Sequence, residues 1–152
     1  MTRGKKTRLL FLCTGNSCRS QMAEGWVRAL KGDRFEVSSA GLEARGLDPR
    51  AVQVMAEAGV DIAGQRSRRL KKLPDNEFDH VVTVCGHADE HCPAFPAKTR
   101  VQHVGFDDPP RLAAEATSEE EALRHYRRVR DEIRRFVEGL PEALDGYGAG
   151  AE

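Results

Sequence analysis

The chain of 152 residues has no net charge, because 24 lysine and arginine residues balance 24 aspartate and glutamate residues. Without an overall positive field, it has no general attraction for nucleic acid or for an anionic membrane. Aromatic residues make up only 6% of the sequence, so few rings accompany its basic clusters for base stacking. These two deficits argue against nucleic acid as a partner.

The sequence also lacks a long apolar run. No segment approaches the roughly 20 apolar residues that a membrane-spanning helix requires. The apolar run at residues 9–13 is too short for the core of a signal peptide. We therefore expect a cytoplasmic protein with no membrane partner. In that compartment, the four cysteines are more typical of catalysis or metal binding than of structural disulfides.

The apolar content of 39% is sufficient for one packed core in a chain of this length. We predict a single domain over residues 1–152, with its core at about 8–140 and flexible ends at 1–7 and 145–152. The sequence shows neither a heptad pattern nor an apolar stripe at helical spacing that is left over for a partner, which favours a monomer.

Strand and helix signals alternate along the chain. Short apolar runs predict strands, and apolar residues that recur at helical spacing predict helices. The predicted strands are Arg8–Cys13, Phe35–Ser39, Val81–Val84 and Arg100–Gly105. The predicted helices are Ser20–Lys31, one that begins at Pro49 and stops at Gly59, and one over 119–139 that opens with the capping box of Ser118 and Glu121. This alternation predicts an α/β fold, a four-stranded parallel sheet flanked by helices on both faces.

The segment between the first strand and the first helix carries the clearest chemical signal. Residues 13–20 read Cys-Thr-Gly-Asn-Ser-Cys-Arg-Ser. A short loop of small residues lets successive backbone N–H groups point inward at an anion, and the following helix adds the positive end of its dipole. Arg19 can bind two anion oxygens through its planar guanidinium. The same positive field favours a Cys13 thiolate, so the pattern predicts an oxyanion site with a sulfur nucleophile.

A simpler interpretation of this loop remains open. Any junction between a strand and a helix needs small residues, so Cys13 could be a buried thiol at the strand end and Gly15 a turn residue. For Cys18, we favour a small side chain packed under the loop over a catalytic role.

Two further cysteines follow the third predicted strand. Cys85 comes directly after it, and carboxyl ends of parallel strands share one sheet edge, so Cys85 is expected near Cys13. Cys92 lies seven residues later, which in a regular helix is roughly 10 Å, too far for a disulfide unless the segment leaves that helix. Three interpretations stay open: a redox pair that relays oxidation from Cys13, two inert buried thiols, or a zinc site with crowded ligand spacing. The zinc site would use Cys85, His87, His91 and Cys92.

A pair of carboxylates follows the fourth predicted strand, in the stretch Gly105-Phe106-Asp107-Asp108-Pro109. A carboxylate in a loop fixed by proline can reach over the anion site and act as a general acid. The alternative is a plain turn, for which Asp-Asp-Pro is common. Asp108, directly before Pro109, is the better candidate for the acid.

Together these residues resemble the thioredoxin-coupled arsenate reductases, which share the fold of the low-molecular-weight tyrosine phosphatases. The resemblance extends from residue 8 to about 138 and implies that fold for the chain. It is carried by Cys13–Trp26, by Ser39-Ala40-Gly41, by Val82-Thr83-Val84-Cys85 with Cys92-Pro93, and by Gly105–Pro109.

The resemblance implies a role for each residue of the first chemical step. Cys13 attacks the arsenic of arsenate, Arg19 and the loop amides stabilise the charge, and Asp108 protonates the departing hydroxyl. Ser20 forms a hydrogen bond with the Cys13 thiolate. Phosphate or sulfate would mimic the substrate. The implied substrate-binding residues are Thr14, Gly15, Asn16, Ser17, Cys18 and Arg19.

The resemblance also implies a relay of disulfides. Cys85 attacks Cys13 and releases arsenite, which leaves a disulfide between these two residues. Cys92 then attacks Cys85, and thioredoxin reduces the resulting Cys85–Cys92 disulfide. Two rival functions remain: a phosphatase, for which the same loop and acid suffice, and a non-catalytic sensor that binds arsenite or zinc through its thiols.

One position departs from the family. Some members bind potassium near the loop through Asn, Glu, Ser and a distant Asp. Asn16, Glu24 and Ser39 match the first three, but Arg68 occupies the fourth position. We expect no metal, no cofactor and no potassium dependence, with the Arg68 guanidinium in place of the ion.

Overall fold

The computed structural model describes residues 6–74, 77–84 and 95–144. Strands and helices alternate along these residues. The elements are β1 (Thr7–Cys13), α1 (Arg19–Lys31), β2 (Phe35–Gly41), α2 (Pro49–Glu57), a 3₁₀ turn (Leu70–Lys72), β3 (His80–Thr83), β4 (Arg100–His103), α3 (Pro109–Ala113) and α4 (Glu119–Glu138).

The four strands form one parallel sheet in the order β2-β1-β3-β4. Residues 9–12 of the central strand β1 have no exposed surface, and such a continuous apolar run is typical of a parallel strand covered on both faces. The register pairs Cys13 with Gly41 on one side of β1 and Leu12 with Thr83 on the other. The carboxyl end of β1 therefore lies level with the ends of its two neighbours.

Each predicted strand and helix is present, with shifted boundaries. β2 continues to Gly41 rather than Ser39, because it pairs with β1 as far as Cys13. β3 covers His80–Thr83 instead of Val81–Val84, and β4 ends at His103 instead of Gly105. The short helix α3 and the 3₁₀ turn were not predicted, since neither is long enough to show a helical period.

The long helix α4 packs against α1 through Trp26. The indole is only 2% exposed, its Nε1 donates to the Arg130 carbonyl at 3.1 Å, and the Arg134 guanidinium lies 5.0 Å from the ring centroid. The predicted cap of α4 is formed, since Ser118 Oγ accepts from the Glu121 N–H at 3.1 Å. The Glu121 carboxylate bonds Thr117 rather than completing the box at Ser118. No helix in the described parts of the chain combines the length and apolarity needed to cross a membrane.

Some predicted features lie outside the described residues. These are Cys85 and Cys92, together with the two histidines of the zinc alternative, and the chain ends at 1–5 and 145–152. The relay pair, the zinc site and the flexible ends therefore remain predictions.

Candidate active site

The loop after β1 is tied to its surroundings through its carbonyl groups. The carbonyl of Thr14 accepts from Glu43 N at 2.8 Å and that of Gly15 from Arg45 N at 2.9 Å. The carbonyl of Ser17 accepts from Asp48 N at 3.0 Å. Because the C=O and N–H of one trans peptide point in opposite directions, outward carbonyls turn the following N–H groups inward. The loop thus has the donor arrangement that binds an oxyanion.

The Cys13 sulfur lies at the base of this loop and is 4% exposed. Asn16 N donates to Cys13 Sγ at 3.3 Å, and Ser20 Oγ lies 2.9 Å from the same sulfur. The predicted contact between Ser20 and Cys13 is therefore present.

The side chain of Asn16 binds the hydroxyl groups of Ser20 and Ser39. Its Oδ1 accepts from Arg68 N at 2.7 Å, which fixes the orientation of the amide. Its Nδ2, a donor only, then lies 2.9 Å from Ser20 Oγ and 3.0 Å from Ser39 Oγ. Ser20 Oγ accepts from Asn16, which leaves its own hydrogen available, and a Cys13 thiolate, which can only accept, would receive that hydrogen. Two donors on one sulfur are suited to a thiolate.

Asn16 itself adopts a left-handed backbone conformation, with φ of 49°. Asparagine tolerates this region better than most residues, and the conformation is fixed from several sides. The Asn16 carbonyl accepts from Gln21 Nε2 at 3.0 Å, and both residues are fully buried. The sequence analysis named Asn16 as an implied substrate-binding residue and as a match to a potassium ligand, but not as the residue that binds Ser20, Ser39 and the Arg68 backbone.

Arg19 and Asp108 meet at the entrance of the loop, as predicted. Arg19 Nη1 donates to the Phe106 carbonyl at 2.8 Å, and Arg19 Nη2 lies 3.5 Å from Asp108 Oδ1. The neighbouring Asp107 pairs with Arg128 at 3.0 Å and does not line the cleft. The choice of Asp108 over Asp107 as the carboxylate at the anion site is therefore supported by the geometry.

These groups line a cleft of about 700 Å³. The sequence analysis did not identify several residues that line this cleft, above all Arg45, Asp48 and Arg111. The sequence analysis uses Pro49 only as a helix start. Asp48 directly before it was a candidate capping residue, because aspartate is common at that position. The lining residues are 13–15, 17–19, 45–49, Asp108, Pro110 and Arg111.

The Asp48 carboxylate, which lines the cleft, is hydrogen-bonded to α2 and to α4. Its Oδ1 accepts from Arg50 N at 2.9 Å and caps α2, while its Oδ2 accepts from Tyr126 Oη at 2.6 Å. Burial, and then this bond to a carboxylate, raises the pKa of Tyr126. Burial, followed by the Asp48 charge, also raises the pKa of Cys18 well above that of a free thiol. Cys18 is thus a buried neutral thiol, which is consistent with a packing role.

The residues that match the family's potassium ligands are bonded to one another. Ser39 Oγ donates to Glu24 Oε1 at 2.6 Å, and the Arg28 guanidinium binds the other Glu24 oxygen. Asn16 Oδ1 is occupied by the Arg68 backbone N–H, and Arg68 Nε is buried with no hydrogen-bond partner in the described chain. These groups therefore fit a potassium ion poorly. The guanidinium that binds Glu24 is that of Arg28 and not, as expected, that of Arg68.

Gly41 leaves room for the loop at the position paired with Cys13. A Cβ on Gly41 would lie 2.3 Å from the Glu43 carbonyl oxygen and 2.8 Å from Asn16 N, both backbone atoms that cannot swing away. We expect Gly41→Ala to lose about 2 kcal/mol or more of unfolding free energy and to weaken phosphate binding. Chemical denaturation and phosphate calorimetry test this.

Gly64→Ala is the matched control, because a Cβ there meets no atom within 4 Å. We expect it to leave both quantities nearly unchanged. If Gly41→Ala behaved like the control, the close packing of the loop against β2 would be wrong.

The fold and this loop define a class of protein, and comparison with known proteins agrees. The sequence pattern of the family described as low molecular weight phosphotyrosine protein phosphatase matches residues 8–147. The chain belongs to this family, as the resemblance predicted.

Named relatives within the family include arsenate reductases. The chain is 52% identical over 125 residues to the arsenate reductase of Bacillus subtilis strain 168, covering 82% of this chain and 88% of the relative. A solved arsenate reductase in the phosphate binding state has a TM-score of 0.71 and 30% identity, covering 88% of this chain and 95% of that one. An arginine phosphatase from Geobacillus stearothermophilus has a TM-score of 0.67 and 32% identity, with 90% and 91% covered.

Proposed function

We propose that this protein is an arsenate reductase that uses Cys13 as its nucleophile. The observation that carries the proposal is the pair of hydrogen-bonding partners at the Cys13 sulfur, Ser20 Oγ and Asn16 N, beneath a loop of inward N–H groups. The similarity to named arsenate reductases across most of the chain supports the choice of arsenate over phosphate esters.

The first step forms a bond between sulfur and arsenic. Arsenate binds in the loop, where the backbone N–H groups and Arg19 balance its charge. The Cys13 thiolate attacks arsenic, the bond from arsenic to one hydroxyl group breaks, and Asp108 gives that hydroxyl a proton so that it leaves as water. Arg19 Nη2 and Asp108 Oδ1 are 3.5 Å apart, which supports the proposal that both side chains contact the same bound anion.

The second step removes arsenic from the enzyme. Cys85 attacks the Cys13 sulfur, the Cys13–arsenic bond breaks, and its electron pair reduces arsenic from the pentavalent to the trivalent state. Arsenite leaves, and the two thiols have become a disulfide. The register supports the choice of Cys85 as the partner of Cys13, because Leu12 pairs with Thr83 and Val84 N donates to the Leu12 carbonyl at 3.0 Å. Val84 therefore lies beside the end of β1, and the chain continues from it directly into Cys85.

The remaining steps restore the enzyme. Cys92 attacks Cys85, which frees Cys13 and moves the disulfide to Cys85–Cys92. Thioredoxin then reduces this disulfide and supplies the two electrons that arsenic consumed. Such a cycle needs reduced thiols, which we place in the cytoplasm. We also propose a monomer, on the sequence alone, which shows no heptad pattern.

A weak phosphatase activity is the second function that the site supports. Phosphate and arsenate have similar shape and charge, and the same thiolate, loop and acid suffice for phosphoryl transfer. The solved arginine phosphatase has a similar fold, which favours this side activity.

Steady-state assays separate the two functions. We expect arsenate to drive NADPH consumption in the presence of thioredoxin and thioredoxin reductase, with only slow hydrolysis of p-nitrophenyl phosphate. If arsenate caused no consumption while the ester was hydrolysed efficiently, the protein would be a phosphatase.

We also propose that turnover does not depend on potassium. Arg28 already neutralises Glu24, and the Arg68 backbone N–H already occupies Asn16 Oδ1. Replacing sodium with potassium at constant ionic strength is expected to leave kcat and KM for arsenate unchanged. A clear rise in turnover with potassium would contradict this.

A further inference from the structure

Arg45 approaches the anion loop more closely than any sequence signal indicated. Its backbone N–H donates to the Gly15 carbonyl at 2.9 Å, and its side chain lies across Gly15. A Cβ built on Gly15 would be only 2.7 Å from Arg45 Cδ and 3.1 Å from Arg45 Cγ. The absence of a side chain at Gly15 therefore gives Arg45 its position at the edge of the cleft.

A second arginine lines the cleft from another element. Arg111 lies on α3, three residues after Asp108, and its side chain makes no ion pair with any described residue. We call Arg45 and Arg111 the cationic rim. Neither residue belongs to the loop at 13–20.

The acidic residues of the cleft leave the positive charge of the cationic rim largely available to bind an anion. Both carboxylate oxygens of Asp48 are bonded, to Arg50 N and Tyr126 Oη, and Asp108 faces Arg19. Among the residues that the structure describes, Glu43 alone pairs with the rim, at 3.3 Å from Arg45 Nε, and both side chains of that pair are exposed. Exposed pairs are weak and exchange readily for another anion.

We propose that the cationic rim is a substrate-binding element that selects small inorganic oxyanions over phosphate esters and phosphorylated arginine. Among the described residues that line the cleft, none is aromatic, so an aryl group gains no stacking partner there. Two guanidinium groups attract a free oxyanion and repel the cationic guanidinium of a phosphorylated arginine. The reduced product, neutral arsenite, gains nothing from the rim and leaves. This inference rests on the proposed function for the identity of the anion.

Removing the Arg45 charge is expected to weaken the binding of arsenate and phosphate without changing the rate of the chemical steps. For Arg45→Gln, we expect kcat/KM for arsenate to fall about three- to fivefold with kcat unchanged, and the phosphate Kd to rise equally. Because salt screens such charges, raising ionic strength is expected to lower wild-type kcat/KM more than that of the variant. Arg111→Gln is expected to act in the same direction.

Glu43→Gln is expected to have the opposite effect on anion binding. Removing this carboxylate frees Arg45, so phosphate binding and kcat/KM for arsenate are expected to improve, by about twofold. Arg124→Gln is the matched control, because Arg124 is an exposed residue of α4 that does not line the cleft. It makes the same charge change and is expected to leave all these quantities as in the wild type.

Calorimetry with inorganic phosphate keeps this test separate from the proposed reduction. If Arg45→Gln and Glu43→Gln both bound phosphate as Arg124→Gln does, the proposal for the rim would be wrong. If the two variants shifted phosphate binding in opposite directions while the wild type reduced no arsenate, the rim would stand and the arsenate assignment would fail.

Discussion

Cys13→Ser is expected to abolish arsenate reduction and the hydrolysis of p-nitrophenyl phosphate together, each by at least about a thousandfold. A serine hydroxyl in this place has neither the acidity of a thiol nor the nucleophilicity of a thiolate, and it cannot form a disulfide. The loop donors remain, since the carbonyl groups of residues 14, 15 and 17 are bonded independently of the sulfur. Phosphate binding is therefore expected to persist, and calorimetry with the two activity assays tests both parts.

Cys18→Ser is the matched control for this prediction. Cys18 belongs to the same loop and is as buried as Cys13, with 4% of its surface exposed. Burial raises the pKa of its thiol, so it stays protonated and has no place in the reaction. We expect this variant to keep most of both activities. Substantial activity in Cys13→Ser, or its loss in Cys18→Ser alone, would assign the nucleophile to the wrong cysteine.

Cys92→Ser is expected to stop the enzyme after one turnover. In the proposed relay, the first two chemical steps need only Cys13 and Cys85, so arsenite is expected to form once. The variant then lacks the thiol that frees Cys13 in the proposed relay, and the Cys13 side of the disulfide offers thioredoxin only 4% exposed surface. We expect one arsenite per chain in a rapid phase, followed by turnover lower by at least about a hundredfold. Quenched-flow measurement of arsenite per chain tests this.

Wild-type protein without thioredoxin is the reference for that experiment. It is also expected to release one arsenite per chain, because its own relay stops at the second disulfide, and added thioredoxin restores turnover. Many turnovers of Cys92→Ser with thioredoxin would show that the relay order is wrong.

The sheet and the anion loop were predictable because their signals are local. The apolar run before Cys13 fits a buried parallel strand, and a loop of small residues before a helix fits an anion. Arg19 and Asp108 come from distant parts of the chain, but the common carboxyl edge of parallel strands brings them together.

The supporting contacts of the site were not predictable, because they depend on register and on side-chain reach. Nothing local to Asp48 indicates that Tyr126, 78 positions away, donates to it. The position of Arg45 over Gly15 follows from how residues 42–48 run beside the loop. The short helix α3 escaped prediction because its five residues show no periodicity.

The most direct test of the mechanism is to map the disulfide left by a single arsenate turnover in Cys92→Ser protein. One equivalent of arsenate is added to reduced enzyme, free thiols are blocked, and unreduced peptides are identified by mass spectrometry. We expect a Cys13–Cys85 disulfide in proportion to the arsenite formed. Arsenite with Cys13 still a free thiol would contradict the central claim that Cys13 attacks arsenic and supplies one of the two thiols that reduce it.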